Sequence, residues 1–547
     1  MDDTDAITGL EDRPSVLAGA AARAGSSSTR TLARAGLIVT SLFLVSRILG
    51  YVRYIAIAGA WPVDQLGPFF AAFRIPDFLF QLVAAGALSS ALIPVVAGLL
   101  AKDEQARAWR VVSTITTLML SLLLVLAAIV LVLAPQLVAF ITPGFHGEKL
   151  EQTVTLTRIM VLSPLFLAAG AVATSALNSR GRFAAAGMAP LVYNAAIIFG
   201  ALLLVPVFGI NGLAYGVVLG AIGHIAIQVP SLARAGVRIR PHLDLGDTQA
   251  RLALVLMAPR AIGLGATQVV FLVMTSLATT LGDEALAVFT FAFSLLQIPI
   301  GVIGVPLGIV LLPSLSREAA LGATEAFGHL LVRGLSMLVY VMIGIAALGI
   351  VVSEDVVRIL FGFAHIGEAA TEDTGLTLAV FLVGLTAHSL IAVLARAFYA
   401  LQDTKTPVLA ALIAVVVNIV VANALVGALG LQALAVAIAV AAWLETIALV
   451  ILLERRLVGL RLGHVWLVMA KALLVCGLGA AVAWGVEQAL LGAWGEDPGF
   501  LLLVVRASIA VAAGGLVVVV GSLALRISEL RTIVDVVVDL LRRRGRA

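Results

Sequence analysis

Apolar stretches of about twenty residues, each closed by a short polar or charged loop, recur along the whole chain. A helix that crosses a bilayer needs about 20 such residues. The pattern predicts fourteen transmembrane helices, near 34–60, 68–100, 109–133, 154–178, 184–206, 210–233, 251–281, 285–314, 325–352, 374–401, 406–427, 430–453, 465–487 and 499–524. The runs near 68–100 and 285–314 are longer than one bilayer crossing and carry several prolines and glycines, so kinks or tilt are expected. Residues 1–33 break the pattern. They are polar, rich in small residues and acidic at the start, without the basic start and apolar core of a signal peptide, and read as a disordered cytoplasmic tail. At the other end, 526–547 places Ile527, Leu530, Val534, Val537 and Leu541 at helical spacing before Arg542, Arg543, Arg544 and Arg546. That spacing predicts an amphipathic helix on an anionic membrane surface, or a basic end that fixes topology.

The pattern also repeats. ALNSRGRFAAAGMAPLVYN at 176–194 aligns with ALQDTKTPVLAALIAVVVN at 400–418, so Asn194 corresponds to Asn418. GINGLA at 209–214 resembles GLQALA at 430–435, and ALSSALIP at 87–94 resembles PLGIVLLP at 306–313. An offset of roughly 220 residues spans six helices, an even number, so the two halves share one orientation. The fold expected is all-α and polytopic: an N-lobe over 34–240 and a C-lobe over 250–456, related by a pseudo-two-fold axis along the membrane normal. Two further helices lie over 464–525. Substrate sites of such duplicated transporters lie between the lobes, where helices are broken by Gly and Pro. The first, second, seventh and eighth runs are broken in that way, for example at Gly50, Pro76, Pro259, Pro299 and Pro306.

Loop charge sets the expected orientation. One alternating set of loops holds Lys102, Arg107, Arg110, Arg180, Arg182, Arg234, Arg238, Arg240, Arg317, Lys405, Arg455, Arg456 and Arg461; the other is acidic or uncharged, with Asp64, Glu148 and Glu151 against Lys149, Asp283, Glu284, Glu368, Glu372, Asp373, Glu487, Glu496 and Asp497. By the positive-inside rule both termini are cytoplasmic.

Composition agrees and removes other functions. Only 12% of residues are charged and 61% are hydrophobic, with a mean hydropathy of +1.12, against about 25% charged in soluble domains. The single cysteine, Cys476, excludes a disulfide framework. No Gly-rich phosphate loop, metal-ligand cluster or nucleophile–base spacing is present, so neither an enzyme nor an ATP-driven pump is expected, and nothing points to nucleic acid. Transport would draw on a sodium or proton gradient or on the membrane potential.

Charges inside apolar runs are the candidate site. Each costs roughly 2.5–3.5 kcal/mol on insertion scales and usually faces a cavity or a partner. Arg47 and Arg53 lie in the first run, Arg74 and Asp77 in the second and Arg260 in the seventh. Arg74 and Asp77 are three apart, which also allows a self-neutralising pair. Gln81, Gln268 and Gln297 offer neutral hydrogen bonding. His388 is a lone intramembrane histidine, and Arg396 and Glu445 read as inner-end anchors or as a pair. Three arginines with few acids suggest a cavity for an anion.

SRILGYVR at 46–53, FFAAFRIPDFL at 69–79, GALSSALIPV at 86–95, IGVIGVPLGIVLLPSLSR at 300–317 and FYALQDTKTPV at 398–408 resemble the lipid II flippase family MurJ, also called MviN. The resemblance covers most of 35–460. It implies the multidrug/oligosaccharidyl-lipid/polysaccharide exporter fold in a bacterial plasma membrane. The implied activity moves undecaprenyl-linked peptidoglycan precursor from the inner to the outer leaflet by alternating access, with the two extra helices forming a groove for the lipid tail. The substrate is then a polyprenyl-diphosphate-linked glycan lipid, with anionic lipids and cell-wall synthesis proteins as further partners of a monomer. The family's helix-1 arginines match Arg47 and Arg53, and its basic residue before the helix-2 proline matches Arg74. Asp403 alone matches the sodium site of some members, and capping is its alternative role. Other charged positions of the family fall on Gly67, Phe80, Ala85, Phe293, Ser294 and Gln297. These departures keep three other functions in view: flipping of another polyprenyl-linked glycan, drug or ion antiport, and a non-transporting cell-wall scaffold.

Overall fold

The computed structural model describes residues 41–42, 44–85, 92–362, 366–457, 460, 462–495 and 499–535, and every regular element among them is helical. The expected tail over 1–33, the segment 87–91 of the repeat, and Arg542–Arg546 lie outside the described residues.

The elements follow the apolar runs. Helix α1 spans 44–60. Then come α2 (Gly67–Phe80), a π turn at Gln81–Ala85, and α3 (Ile93–Ala101). Next are α4 (Gln105–Ile141), α5 (Glu148–Met160) and α6 (Ser163–Ser179). α7 (Phe183–Phe199) runs through a π turn, Gly200–Leu204, into α8 (Val205–Phe208). α9 (Asn211–Ala226) and α10 (Val229–Arg234) complete the first half. The second half holds α11 (Thr248–Thr279), α12 (Ala285–Pro299), a π turn at Ile300–Gly304, α13 (Val305–Ala320), α14 (Thr324–Val351) and the short α15 (Ser353–Phe361). It continues with α16 (Glu368–Val383), α17 (Leu385–Ala400), α18 (Lys405–Leu429) and α19 (Gln432–Arg456). α20 (Gly463–Trp494) and α21 (Phe500–Ala524) are the two extra helices. A last helix covers 528–535.

Ten of these stretches are long and apolar enough to cross a membrane, and α16–α17, bent by 44°, is the eleventh. With α1, α2–α3 and α11, shorter or interrupted among the described residues, the fourteen expected spans are accommodated.

The duplication is visible in the packing. α2 packs on α5 and α6 as α12 and α13 pack on α16 and α17. α6 meets α9 as α17 meets α19, and α7 meets α9 as α18 meets α19. The π turns of α2–α3 and α12–α13 fall roughly 220 residues apart, at equivalent positions of the two halves. Such bulges insert a residue into the helical ladder and concentrate at functional sites. In the first half, Gly212, Gly216 and Gly220 form a small-residue stripe on α9. A Cβ on Gly200 would lie 2.7 Å from Gly216 Cα, so α7 and α9 touch backbone to backbone, as membrane helices packed through small residues do. α20 and α21 pack against each other and against α14, outside the duplicated core.

Candidate functional site

The two halves share one core at the acidic-loop face. Ile57, Leu66, Phe69 and Phe70 of the first half are buried in the same cluster as Met274, Leu286, Phe289 and Phe291 of the second. The loop after α4 seals this face. A Cβ on Gly144 would lie 1.9 Å from the Thr279 carbonyl oxygen, and Phe145 closes on Gly67. Lys149 then bridges the halves, with Nζ 2.5 Å from Asp283 Oδ1 and donating to the Asp64 carbonyl at 3.3 Å. Beside them burial pushes the Glu284 carboxyl above its ordinary range, and Asp64, Asp373 and Asp283 push it further.

Beneath the seal lie the intramembrane arginines. Arg53 Nη1 donates to Asn194 Oδ1 of α7 at 3.1 Å, and its guanidinium stands 4.8 Å over the Tyr54 ring. Arg74 Nε donates to Thr275 Oγ1 of α11 at 2.9 Å and its guanidinium lies 5.4 Å over Phe271. Both arginines line one pocket of about 60 Å³ with Tyr54, Phe69, Phe70 and Thr290. Asp77 feels Arg74, Gln81 and Arg53, but the hydrogen bond of Arg74 crosses to the other half. Asp77 thus stays within electrostatic reach of Arg74, while the Arg74 hydrogen bond is an interlobe one. Arg47 reaches α12–α13 instead, where the absent side chain of Gly301 in the π turn admits its guanidinium: a Cβ there would meet Cζ at 3.3 Å. Gln297 is half-buried on the last turn of α12, just ahead of that turn. Arg260 falls in α11, and its side chain lies outside the described residues.

One position where the resemblance leads one to expect charge, Phe293, is filled by aromatic packing. Phe293 lies 5.2 Å from Phe271, 6.2 Å from Phe289 and 5.6 Å from Phe381, centroid to centroid. Phe291 meets Phe70 at 5.5 Å across the halves. One wall of the arginine site is thus an aromatic cluster, and Phe271 belongs both to it and to Arg74. A Cβ at Gly67 would lie 3.0 Å from the Phe145 ring, so a larger residue there needs that ring to shift.

Asp403 caps α18. It accepts from the backbone of Lys405 and Thr406 at 3.0 Å each and from Thr406 Oγ1 at 2.7 Å, and it pairs with Arg456. Burial pushes this carboxyl up, but the Thr406 and Lys405 hydrogen bonds and the Arg456 charge outweigh it and hold it below its ordinary value. Both oxygens are so engaged, and the geometry gives Asp403 a capping role. Asp247 caps α11 in the same way and accepts from Arg107 at 2.8 Å. Arg396 packs over Gly308 and donates to the Ala392 carbonyl, and among the described residues no ion pair joins it to Glu445.

One cluster escaped the sequence. Arg506 of α21 pairs with Asp355 of α15, holds Glu487 of α20 at 3.0 Å and donates to the Gly495 carbonyl at 3.0 Å. The three side chains are 3%, 5% and 9% exposed. Glu487, assigned by sequence to an exposed acidic loop, is a buried helix residue. The signal was present: Arg506 is a lone charge in an apolar run.

The chain is similar to known proteins over most of its length. The profile of the family described as Lipid II flippase MurJ matches residues 63–505. A probable lipid II flippase MurJ from Rhizobium tropici is 31% identical over 466 residues, covering 82% of this chain and 85% of that protein. Another from Vibrio cholerae is 31% identical over 489 residues, with 85% and 93% covered. Among solved structures, a lipid II flippase MurJ in an inward closed conformation superposes with a TM-score of 0.75 at 19% identity, over 90% of this chain and 99% of that one. An inward-facing multidrug resistance MATE family transporter gives 0.64 at 16% identity, over 78% and 98%. These last two likenesses are of fold.

Proposed function

We propose how this chain works from one premise: it belongs to the lipid II flippase MurJ family. It is a lipid II flippase, an integral bacterial membrane protein that transports a polyprenyl-linked glycan lipid and catalyses no covalent chemistry. Its site, its orientation and its driving force are proposed from the interlobe cleft and the loop charges.

The observation that carries the reading of the site is that Arg53 and Arg74 line one pocket at the sealed end of the interlobe cleft. Their hydrogen-bond partners are neutral, a carboxamide and a hydroxyl. Among the described residues Asp77 is the one acid within electrostatic reach of both, so two cations against one carboxylate leave net positive charge for a ligand. A diphosphate is the anion such a pair recognises, because arginine donates two parallel hydrogen bonds to phosphate oxygens. Arg47, Arg260, Asp77 and Gln297 complete the proposed substrate set, with Arg47 at the π turn that lets α12–α13 bend. The pocket of about 60 Å³ is far smaller than a glycan, which suits the closed end of a cleft that widens as the lobes part.

The basic-loop face is cytoplasmic in this proposal, so the acidic-loop face sealed by Lys149 and Asp283 is the outer one. Lipid II enters the cleft from the inner leaflet, its diphosphate engages the arginines, and the seal parts as the opposite side closes. The polyprenyl tail stays outside the lobes along α20–α21. Moving an anion outward is favoured by an inside-negative potential by about 2.3 kcal/mol per charge per 100 mV, so the membrane potential contributes to the drive.

Complementation tests this. In a bacterium depleted of its own flippase, the wild-type chain is expected to restore growth. Arg53→Ala and Arg74→Ala, at equal abundance in the membrane, are expected to fail. A well-expressed wild-type chain that does not rescue contradicts the proposed activity, and rescue by both variants contradicts the site.

A further inference from the structure

A second cavity, of about 1070 Å³, lies at the basic-loop end of α14, away from the interlobe site. α14 presents one face to it: Glu325, Gly328, His329, Val332, Arg333 and Met337 recur at three- and four-residue spacing. His464 at the start of α20 and the helix 528–535, through Ser528, Glu529 and Thr532, form the opposite wall.

The polar part of that wall is built rather than incidental. Glu529 is 7% exposed and held by two partners, His464 Nε2 at 3.2 Å and Ser528 Oγ at 3.0 Å. Ile527 and Leu530, 4% and 8% exposed, anchor the same segment. Deeper in the membrane the helices close up: Tyr340 OH lies 2.9 Å from Ser522 Oγ, and Gly344 faces Cys476.

The lining is amphipathic along its depth. Thr324, Glu325 and His329 lie at the mouth, and Val332, Leu460 and Met337 line the deeper wall. From Thr324 to Met337 the axis of α14 runs about 20 Å, the depth of a headgroup and the upper part of an acyl chain. One arginine, three hydroxyls and an exposed carboxylate give the mouth both signs of charge.

We propose that this cavity binds a zwitterionic phospholipid. Its phosphate takes Arg333, its amine faces Glu325, and one acyl chain lies along Val332, Leu460 and Met337. The lipid fills the space between the C-lobe and the α20–α21 pair at the level of the headgroups. The leaflet, the inner one, rests on the orientation proposed above; the binding itself does not.

Native mass spectrometry of the full-length protein in detergent, titrated with phosphatidylethanolamine, phosphatidylglycerol or inorganic phosphate, tests it. One phosphatidylethanolamine is expected to stay on each wild-type chain. Arg333→Gln is expected to weaken retention about tenfold, the scale of one charged hydrogen bond, and Arg333→Lys to keep most of it. Val332→Trp, which fills the cavity, is expected to abolish it at an unchanged melting temperature. Wild-type retention in both Arg333→Gln and Val332→Trp overturns the site. So does displacement of the lipid by millimolar inorganic phosphate, which reveals a free-phosphate site, or tighter retention of phosphatidylglycerol. The leaflet is read separately. With Cys476 buried, Glu325→Cys is expected to react with an impermeant maleimide only from the cytoplasmic side. Labelling from outside overturns the leaflet and the orientation while leaving the binding result intact.

Discussion

Arg74 shows how a charge is kept inside the membrane without a salt bridge. Its guanidinium rests on the Thr275 hydroxyl and the face of Phe271, neutral contacts that leave Asp77 as its nearby acid and the cation open to an incoming anion. Losing one such charged hydrogen-bond donor typically costs about 1.5–3 kcal/mol. Arg74→Ala is therefore expected to slow lipid II transport roughly ten- to a hundredfold, read as outer-leaflet appearance of labelled substrate, with Arg74→Lys intermediate. Asp403 shows the opposite case, a carboxylate spent on local structure. Its folded pKa is depressed, so its contribution to stability is complete above the ordinary aspartate value of about 3.9 and is lost as pH falls through the depressed one. Asp403→Ala is expected to lower stability by about 1 kcal/mol at neutral pH, as lost caps do. Its melting temperature should converge with wild type under strong acid. A constant gap across that range would argue against the assignment. Both residues were legible as charges in the sequence. Their partners were not, because Thr275 and Arg456 come close only through tertiary packing.

At the scale of elements, the apolar runs and the repeat were readable because bilayer length and helical period act locally. The broken second and eighth helices followed from their Gly and Pro content, and their π turns lie at matching positions. The sequence could not show what the π turn does: at Gly301 it makes room for Arg47. Nor did it reveal how α20–α21 attach, since Arg506, Glu487 and Asp355 are separated by long stretches of chain and meet only in the folded protein. Breaking a buried ion network by removing one partner typically costs about 3–5 kcal/mol, whereas replacing the whole set by apolar residues is often neutral. Arg506→Met alone is expected to destabilise by that amount in thermal unfolding. Arg506→Met combined with Asp355→Leu and Glu487→Leu should recover most of the loss. A triple variant no better than the single one would mean that the network fixes the geometry of the helix pair.

For the whole molecule, the seal at the acidic-loop face is the one conformational statement the structure makes directly. Lys149 bridges Asp283 and Asp64 between the halves, and Glu284 sits beside it with a raised pKa. A raised acid pKa in the sealed state means that this state binds the proton more tightly. Sealing is then favoured at low pH on that face and loses this contribution as pH rises through the raised value. Lys149→Glu is expected to shift the population toward separated loops, measured as a longer distance between spin labels on the two halves at this face. Lys149→Glu combined with Asp283→Lys should restore the short distance. Family resemblance pointed to the fold and the activity, but not to this latch, whose members are ordinary loop charges until the lobes bring them together. The central claim is that this chain moves lipid II and that Arg53 and Arg74 hold its diphosphate. Purified protein in vesicles loaded with fluorescent lipid II, bleached by an impermeant reductant, tests it most directly. The account predicts a bleached fraction that rises well beyond the outer-leaflet share with the wild-type chain and stays near that share with Arg53→Ala/Arg74→Ala. Equal bleaching by the two proteins, or none above empty vesicles with wild type, would contradict it.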